Sequence, residues 1–119
     1  MIKRLLPLMT LLLPLLVHAE LVLTNSAPQE AQFDAANKLY AQGKFADAAV
    51  AYEKMIATGS ISPALYFNLG NARFKSGQLG QAIAAYRQAE EMSPRDPDVR
   101  ANLQFARNQV AGPKLGANR

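Results

Sequence analysis

The chain has 119 residues, of which 50% are hydrophobic and 18% charged, with 13 Lys and Arg against 9 Asp and Glu, no Cys and no Trp. This suits about one globular domain, being too apolar for a disordered chain and too polar for a polytopic membrane protein. Zero Cys excludes disulfides, thiolate zinc sites, iron–sulfur clusters and cysteine nucleophiles.

The N-terminus reads as an export signal. Lys3 and Arg4 precede an apolar run from Leu5 to Val17, broken only by Pro7, Thr10 and Pro14, and Val17-His18-Ala19 follows with small residues where a signal peptidase cuts. This pattern predicts a signal peptide over 1–19, cleaved between Ala19 and Glu20. The alternative, an uncleaved anchor, needs about 20 apolar residues to cross ~30 Å of hydrocarbon. Cleavage removes Lys3, Arg4 and the only histidine, so 11 basic residues face 9 acidic ones and the net charge falls from +4 to +2. That balance, with no Lys/Arg block, gives no nucleic-acid footprint. A mature chain without His or Cys lacks the ligands of most transition-metal sites. No metal and no cofactor is expected. The expected place is the periplasm, in solution or associated with the membrane, with no span in the mature domain.

After a linker over 20–28, five helices are predicted in a folded domain over 29–111, and a flexible tail follows over 112–119. Pro28, Pro63 and Pro97 follow or closely follow Ser26, Ser62 and Asp96, the pattern of a cap residue with Pro at the first helical position. Residues 29–42 run to Gly43, 45–57 to Gly59, and 63–76 to Gly77, while 79–92 stop before Pro94 and 97–110 before Gly112-Pro113. A glycine just past a helix supplies the left-handed turn that ends it. Abundant Ala and little Val, Ile or Thr disfavour strands.

The helices pair by their apolar spacing. In the first hairpin, about 29–57, Ala36, Leu39 and Tyr40 face Phe45, Ala48, Ala49, Tyr52 and Met55. In the second, about 63–92, Tyr66, Leu69, Ala72 and Arg73 share a stripe against Leu79, Ala82, Ile83, Tyr86 and Ala89. Gly70 and Ala82 are small where helices approach, and Tyr86 fills the space nearby. The helix over 97–110 turns Val99, Leu103, Ala106 and Val110 toward the second hairpin and caps the open end.

The chain repeats itself at an offset of 34 residues: Gly43 aligns with Gly77, Asn37 with Asn71, Phe33 with Phe67, Tyr40 with Phe74, Ala48 with Ala82, Ala51 with Ala85 and Tyr52 with Tyr86. This is the period of tetratricopeptide repeats. Residues 64–97 resemble such a repeat, with Tyr66, Leu69-Gly70, Ala82, Tyr86, Ala89 and Pro94 at signature positions and a departure at Arg73, where the family prefers Tyr. Residues 30–63 are a weaker copy, with Gln32, Ala35 and Ser60 at positions where an aromatic, Leu and Pro are usual. The resemblance implies an all-α helix-turn-helix solenoid of two hairpins plus a C-terminal capping helix. A narrower likeness joins the signal peptide to 33–45, 65–72 and 96–107 and is similar to the repeat proteins of bacterial aerotolerance (Bat) operons. That likeness implies an envelope location and assembly with von Willebrand-type Bat partners. Many such proteins continue into C-terminal membrane segments, so a chain ending at Arg119 reads as a short form or a fragment.

Tetratricopeptide arrays bind peptides or partner domains along the concave face formed by the first helix of each hairpin. Carried over by position, that face holds Phe33, Asn37, Tyr40, Phe67, Asn71, Phe74, Lys75, Ala101, Phe105 and Asn108. Asn amides pair with an extended peptide backbone, and aromatics beside them supply apolar contact. The other reading of Asn37 and Asn71 is that they tie neighbouring helices. A carboxylate clamp of the family would use this Asn pair, but Phe33 replaces its early Lys.

Other signals fail. Glu90 and Glu91 point in different directions on a helix and cannot flank one bond. Asp96 and Asp98 sit at a helix start, where negative charge caps. Ser60 and Ser62 have no base. Gly77-x-x-Gly80 is a turn, with no strand before it and no Lys-Ser/Thr after it. Arg73, Arg87, Arg95, Arg100 and Arg107 read as solvated, although Arg100 and Arg107 share a face suited to an acidic partner or anionic lipid. The expectation is a non-enzymatic docking module for a protein or peptide. The competing expectation is a scaffold element stacking through its terminal helices.

Overall fold

The structure is a computed structural model and describes residues 28–112. The expected signal peptide, the segment 20–27 and the tail from 113 onward lie outside the described residues. Within them the chain forms five helices: α1 (Gln29–Ala41), α2 (Phe45–Ala57), α3 (Pro63–Lys75), α4 (Leu79–Met92) and α5 (Pro97–Ala111). No strand occurs among the described residues. Helices adjacent in sequence pack on one another, and α1 also touches α3. This is a helical solenoid of two hairpins closed by α5. No helix among the described residues is long and apolar enough to cross a membrane.

The starts of α3 and α5 follow the sequence signal. Ser62 Oγ accepts from the Leu65 N–H at 3.1 Å, with Pro63 in the first turn. Asp96 Oδ1 accepts from Asp98 at 2.9 Å and Val99 at 3.3 Å ahead of α5. The start of α1 differs. Pro28 itself occupies the cap position, with φ −51° and ψ 145° and no side-chain cap, and the helix begins at Gln29. Ala27 separates Ser26 from Pro28, so the Ser-Pro register of α3 is missing here.

The turns within the two hairpins and the turn between them end in one shape. After α1, Gly43 N–H bonds Tyr40 C=O at 2.9 Å and Lys44 N–H bonds Leu39 C=O at 2.9 Å. The same pair recurs at Gly77 to Phe74 and Gln78 to Arg73, and again at Gly59 to Ile56 and Ser60 to Met55. These bonds satisfy the last helical carbonyls only if the glycine takes a left-handed conformation, as Gly43 does at φ 77°. The turn claims Gln42 and Ser76, so α1 and α3 each end one residue earlier than the sequence pattern runs.

Two apolar clusters form the core. One joins α1, α2 and α3 with α4 through Ala36, Ala48, Ala49, Tyr52, Met55, Leu65, Leu69, Ala72 and Ala85. The other joins Ala82 and Tyr86 of α4 to Leu103 and Ala106 of α5. Gly70 is the tightest approach: a Cβ built there would lie 2.5 Å from Tyr86 Cδ1 and Cε1. Two expectations need correction. Val110 does not join the α5 stripe and is 59% exposed, because the last turn of α5 runs past the surface that α4 offers. Arg73 is not solvated: its side chain is 13% exposed, ion-paired to Glu53, and hydrogen-bonded to Gln78 at 2.6 Å and to Gln81.

Candidate functional site

The first helices of the repeats, α1, α3 and α5, lie side by side and form one face. Two adjoining cavities open on it. One, of about 150 Å³, is lined by Asn37, Tyr40, Tyr52, Asn68 and Asn71. The other, of about 280 Å³, is lined by Tyr40, Asn71, Phe74, Lys75, Tyr86, Asn102 and Phe105. Tyr40 and Asn71 belong to both, so the cavities form a continuous groove across the three helices.

The groove floor is a hydrogen-bond unit written twice. Asn37 Oδ1 accepts from the Tyr52 hydroxyl at 2.6 Å and from Asn68 Nδ2 at 3.1 Å. One repeat later, Asn71 Oδ1 accepts from the Tyr86 hydroxyl at 2.6 Å and from Asn102 Nδ2 at 2.9 Å. Each unit ties a first helix to the second helix of its own hairpin and to the first helix of the next repeat. An amide oxygen has two lone pairs, and both are used. The amide nitrogens of Asn37 and Asn71 make no hydrogen bond among the described residues and keep their N–H donors. The Oδ1 atoms of Asn68 and Asn102 likewise accept no hydrogen bond among the described residues, so the groove offers a ligand both donors and acceptors.

Phe33 and Phe67 stand behind these tyrosines, each with its ring centroid 6.0 Å from that of Tyr52 or Tyr86. Burial raises the Tyr52 phenol above its ordinary value, with the neighbouring Asn68 amide opposing the rise and Tyr40 adding to it. Burial pushes Tyr86 up to about 12, with Tyr40 adding to the rise and Asn102 opposing it. Both phenols remain neutral donors at physiological pH. Phe74 and Phe105 extend the apolar side of the groove, their centroids 5.5 Å apart, and Phe105 is 54% exposed. Lys75 stands exposed at the edge as its cation.

Of the residues expected on this face, Asn37, Tyr40, Asn71, Phe74, Lys75 and Phe105 come together in the groove. Four do not line it. Ala101 lines a separate cavity with Arg100 and Arg107. Phe33 lies at the edge of the first repeat, lining a separate cavity with Met55, Ile61 and Leu65. Phe67 packs behind Tyr86. Asn108 is exposed and accepts from Gln104 Nε2 at 2.9 Å, which turns its oxygen back along α5. Sequence reasoning missed four lining residues: Tyr52, Asn68, Tyr86 and Asn102. The tyrosines read as core, and their rings are core. Their hydroxyls reach through to the groove. Asn68 and Asn102 are one repeat apart, as Asn37 and Asn71 are, and that offset was the signal available for them.

The face of α5 that would receive a further second helix has changed. Arg100, Gln104 and Arg107 stand where α3 has Tyr66, Gly70 and Arg73. The approach that Gly70 allows Tyr86 is thus blocked by a long side chain in α5. Phe105 also replaces the Asn that would accept a third tyrosine. These substitutions remove from α5 the features with which α3 receives α4.

Among the described residues no three of His, Cys, Asp and Glu come together as a metal-binding group. No curated protein matches the sequence. The family model for the tetratricopeptide repeat matches residues 33–97, more than half of the chain, and spans both hairpins into the first residue of α5. With the doubled Asn–Tyr–Asn unit and the Gly70–Tyr86 approach, this places the chain in the tetratricopeptide repeat family, whose repeats generally serve as protein–protein interaction modules.

Proposed function

We propose that the chain is a non-catalytic docking module of the bacterial envelope, exported by its N-terminal signal, whose groove takes an extended peptide segment of a partner protein. The observation behind this reading is the arrangement of Asn37 and Asn71: their oxygens are consumed by the fold and their N–H groups are left for a ligand. Donors of this kind suit the carbonyls of an extended backbone. Tyr40, Phe74 and Phe105 offer apolar contact to alternate side chains, and Lys75 favours an acidic or carboxylate group at that end. The helices are already ordered, so docking costs the module little conformational entropy. The Bat-type assembly proteins of the envelope are the proposed source of the partner.

A cross-linked pull-down from envelope extract tests this reading with three baits. Wild type is compared with Lys75→Ala/Phe105→Ser, which changes exposed groove residues, and with Asn37→Asp/Asn71→Asp. The Asp pair keeps the oxygens that tie the helices and removes the N–H donors. A partner captured by wild type and lost by both variants supports groove docking. Equal capture by all three overturns it.

A further inference from the structure

The cleft on the opposite side of α5 is a second, differently charged surface. Its template lies one repeat earlier. Between the hairpins, Glu53, Tyr66, Leu69, Arg73 and Gln81 line a cleft in which Arg73 is held by Glu53, Gln78 and Gln81. The equivalent cleft between α4 and α5 has a volume of about 500 Å³ and is lined by Glu90, Pro97, Arg100, Ala101, Leu103, Gln104 and Arg107.

Arg107 occupies the position of Arg73, but two of the acceptors that Arg73 has are replaced: Glu53 becomes Arg87 and Gln78 becomes Gly112. Tyr66 becomes Arg100, a second guanidinium on the same cleft. Neither Arg100 nor Arg107 forms an ion pair or side-chain hydrogen bond among the described residues, and Glu90 in the same cleft pairs with neither. Leu103 is the buried apolar residue of the cleft, and Ala101 is exposed.

We propose that this cleft docks a carboxylate-rich segment of a partner protein, whose acidic side chains take on Arg100 and Arg107 the place that Glu53 takes on Arg73. A guanidinium presents paired N–H donors that match a carboxylate, and the chain already uses that match one repeat earlier. The internal template is a carboxylate supported by amide oxygens, which favours an acidic polypeptide over a lipid headgroup. This surface is separate from the groove, so the two readings stand or fall independently.

Titration of the full chain with fluorescently labelled poly-L-glutamate, followed by anisotropy, tests the proposal. Saturable binding is expected, weakened about tenfold by Arg100→Gln/Arg107→Gln, since each exposed charge pair contributes up to ~1 kcal/mol. A charge-matched control, Lys38→Gln/Lys44→Gln, is expected to bind as wild type does. Circular dichroism and the denaturation midpoint of the arginine variant are expected to match wild type, because both side chains are exposed. Absence of binding, or equal loss in the lysine control, overturns the proposal. So does capture of the chain by phosphatidylglycerol vesicles through these arginines with no response to polyglutamate, which would assign the cleft to a membrane surface.

Discussion

The Tyr86 hydroxyl donates a 2.6 Å hydrogen bond to Asn71 Oδ1, and Tyr52 donates an equal one to Asn37, one repeat earlier. The residues that line the groove are therefore also the residues that fix the spacing of its helices. The amides of Asn37 and Asn71 are oriented by the bonds their own oxygens make, so their N–H donors are set before anything binds. The same arrangement makes Asn→Ala a poor probe of binding, because it strips the tie and the donor together.

The tie can be weighed by removing one partner at a time. Tyr86→Phe keeps the ring and loses one hydrogen bond, and is expected to cost about 1 kcal/mol. Asn71→Ala leaves the Tyr86 hydroxyl without its acceptor and Asn102 without its partner, and is expected to cost about 1–3 kcal/mol. Urea denaturation of the two variants and their double mutant measures the coupling. Additive losses would mean that the two side chains stabilise the fold separately.

Glycine at position 70 is required by Tyr86 and not by its own backbone. Gly70→Ala gains helix propensity, but its Cβ enters the ring at 2.5 Å. The ring is buried and held by its hydroxyl, so it yields little. A net loss of about 1–2 kcal/mol is expected. Gly80→Ala is the control: it is helical, exposed and has nothing within 4 Å of its Cβ. It is expected to raise stability by up to about 1 kcal/mol. Thermal melts of the pair should move in opposite directions.

Most of the fold was legible because its signals are local or periodic. The Ser62-Pro63 and Asp96-Pro97 starts, the glycine stops and the 34-residue offset each specify an element or its copy. What was not legible depended on how a side chain spans two environments. Tyr52 and Tyr86 obey the helical apolar stripe, and nothing in that periodicity says that a hydroxyl emerges on the far face. Arg73 stood on the same stripe, but its burial rests on Glu53, which lies 20 positions earlier in another hairpin. Asn108 and Phe105 are next to each other on a helical wheel. Only the bond from Gln104 decides that Asn108 turns away from the groove.

Capping of α5 governs the open end of the solenoid. Asp96 accepts from two backbone N–H groups and places a carboxylate at the helix N-terminus. Asp96→Ala is expected to cost about 1 kcal/mol. The loss should appear first as faster amide exchange in α5, which among the described residues packs mainly on α4. Ser62→Ala removes a single bond at α3, and α3 is held between α2 and α4. Its effect is expected to be global unfolding at lower denaturant, with no selective exchange in α3.

The raised Tyr86 phenol makes stability fall at alkaline pH. A tyrosine in the unfolded chain ionises near its ordinary value of 10, whereas Tyr86 in the fold stays neutral until about 12. The stabilisation is complete below pH 10, because both states are then neutral and the hydrogen bond to Asn71 is intact. Between pH 10 and 12 the unfolded chain releases a proton that the folded chain retains, so unfolding becomes more favourable as pH rises. Tyr52, raised in the same direction, adds to the effect. The denaturation midpoint is expected to drop steadily across this interval. The Tyr86→Phe variant, though less stable at neutral pH, should show a shallower fall. A slope unchanged by that substitution would mean that the alkaline loss arises from other groups.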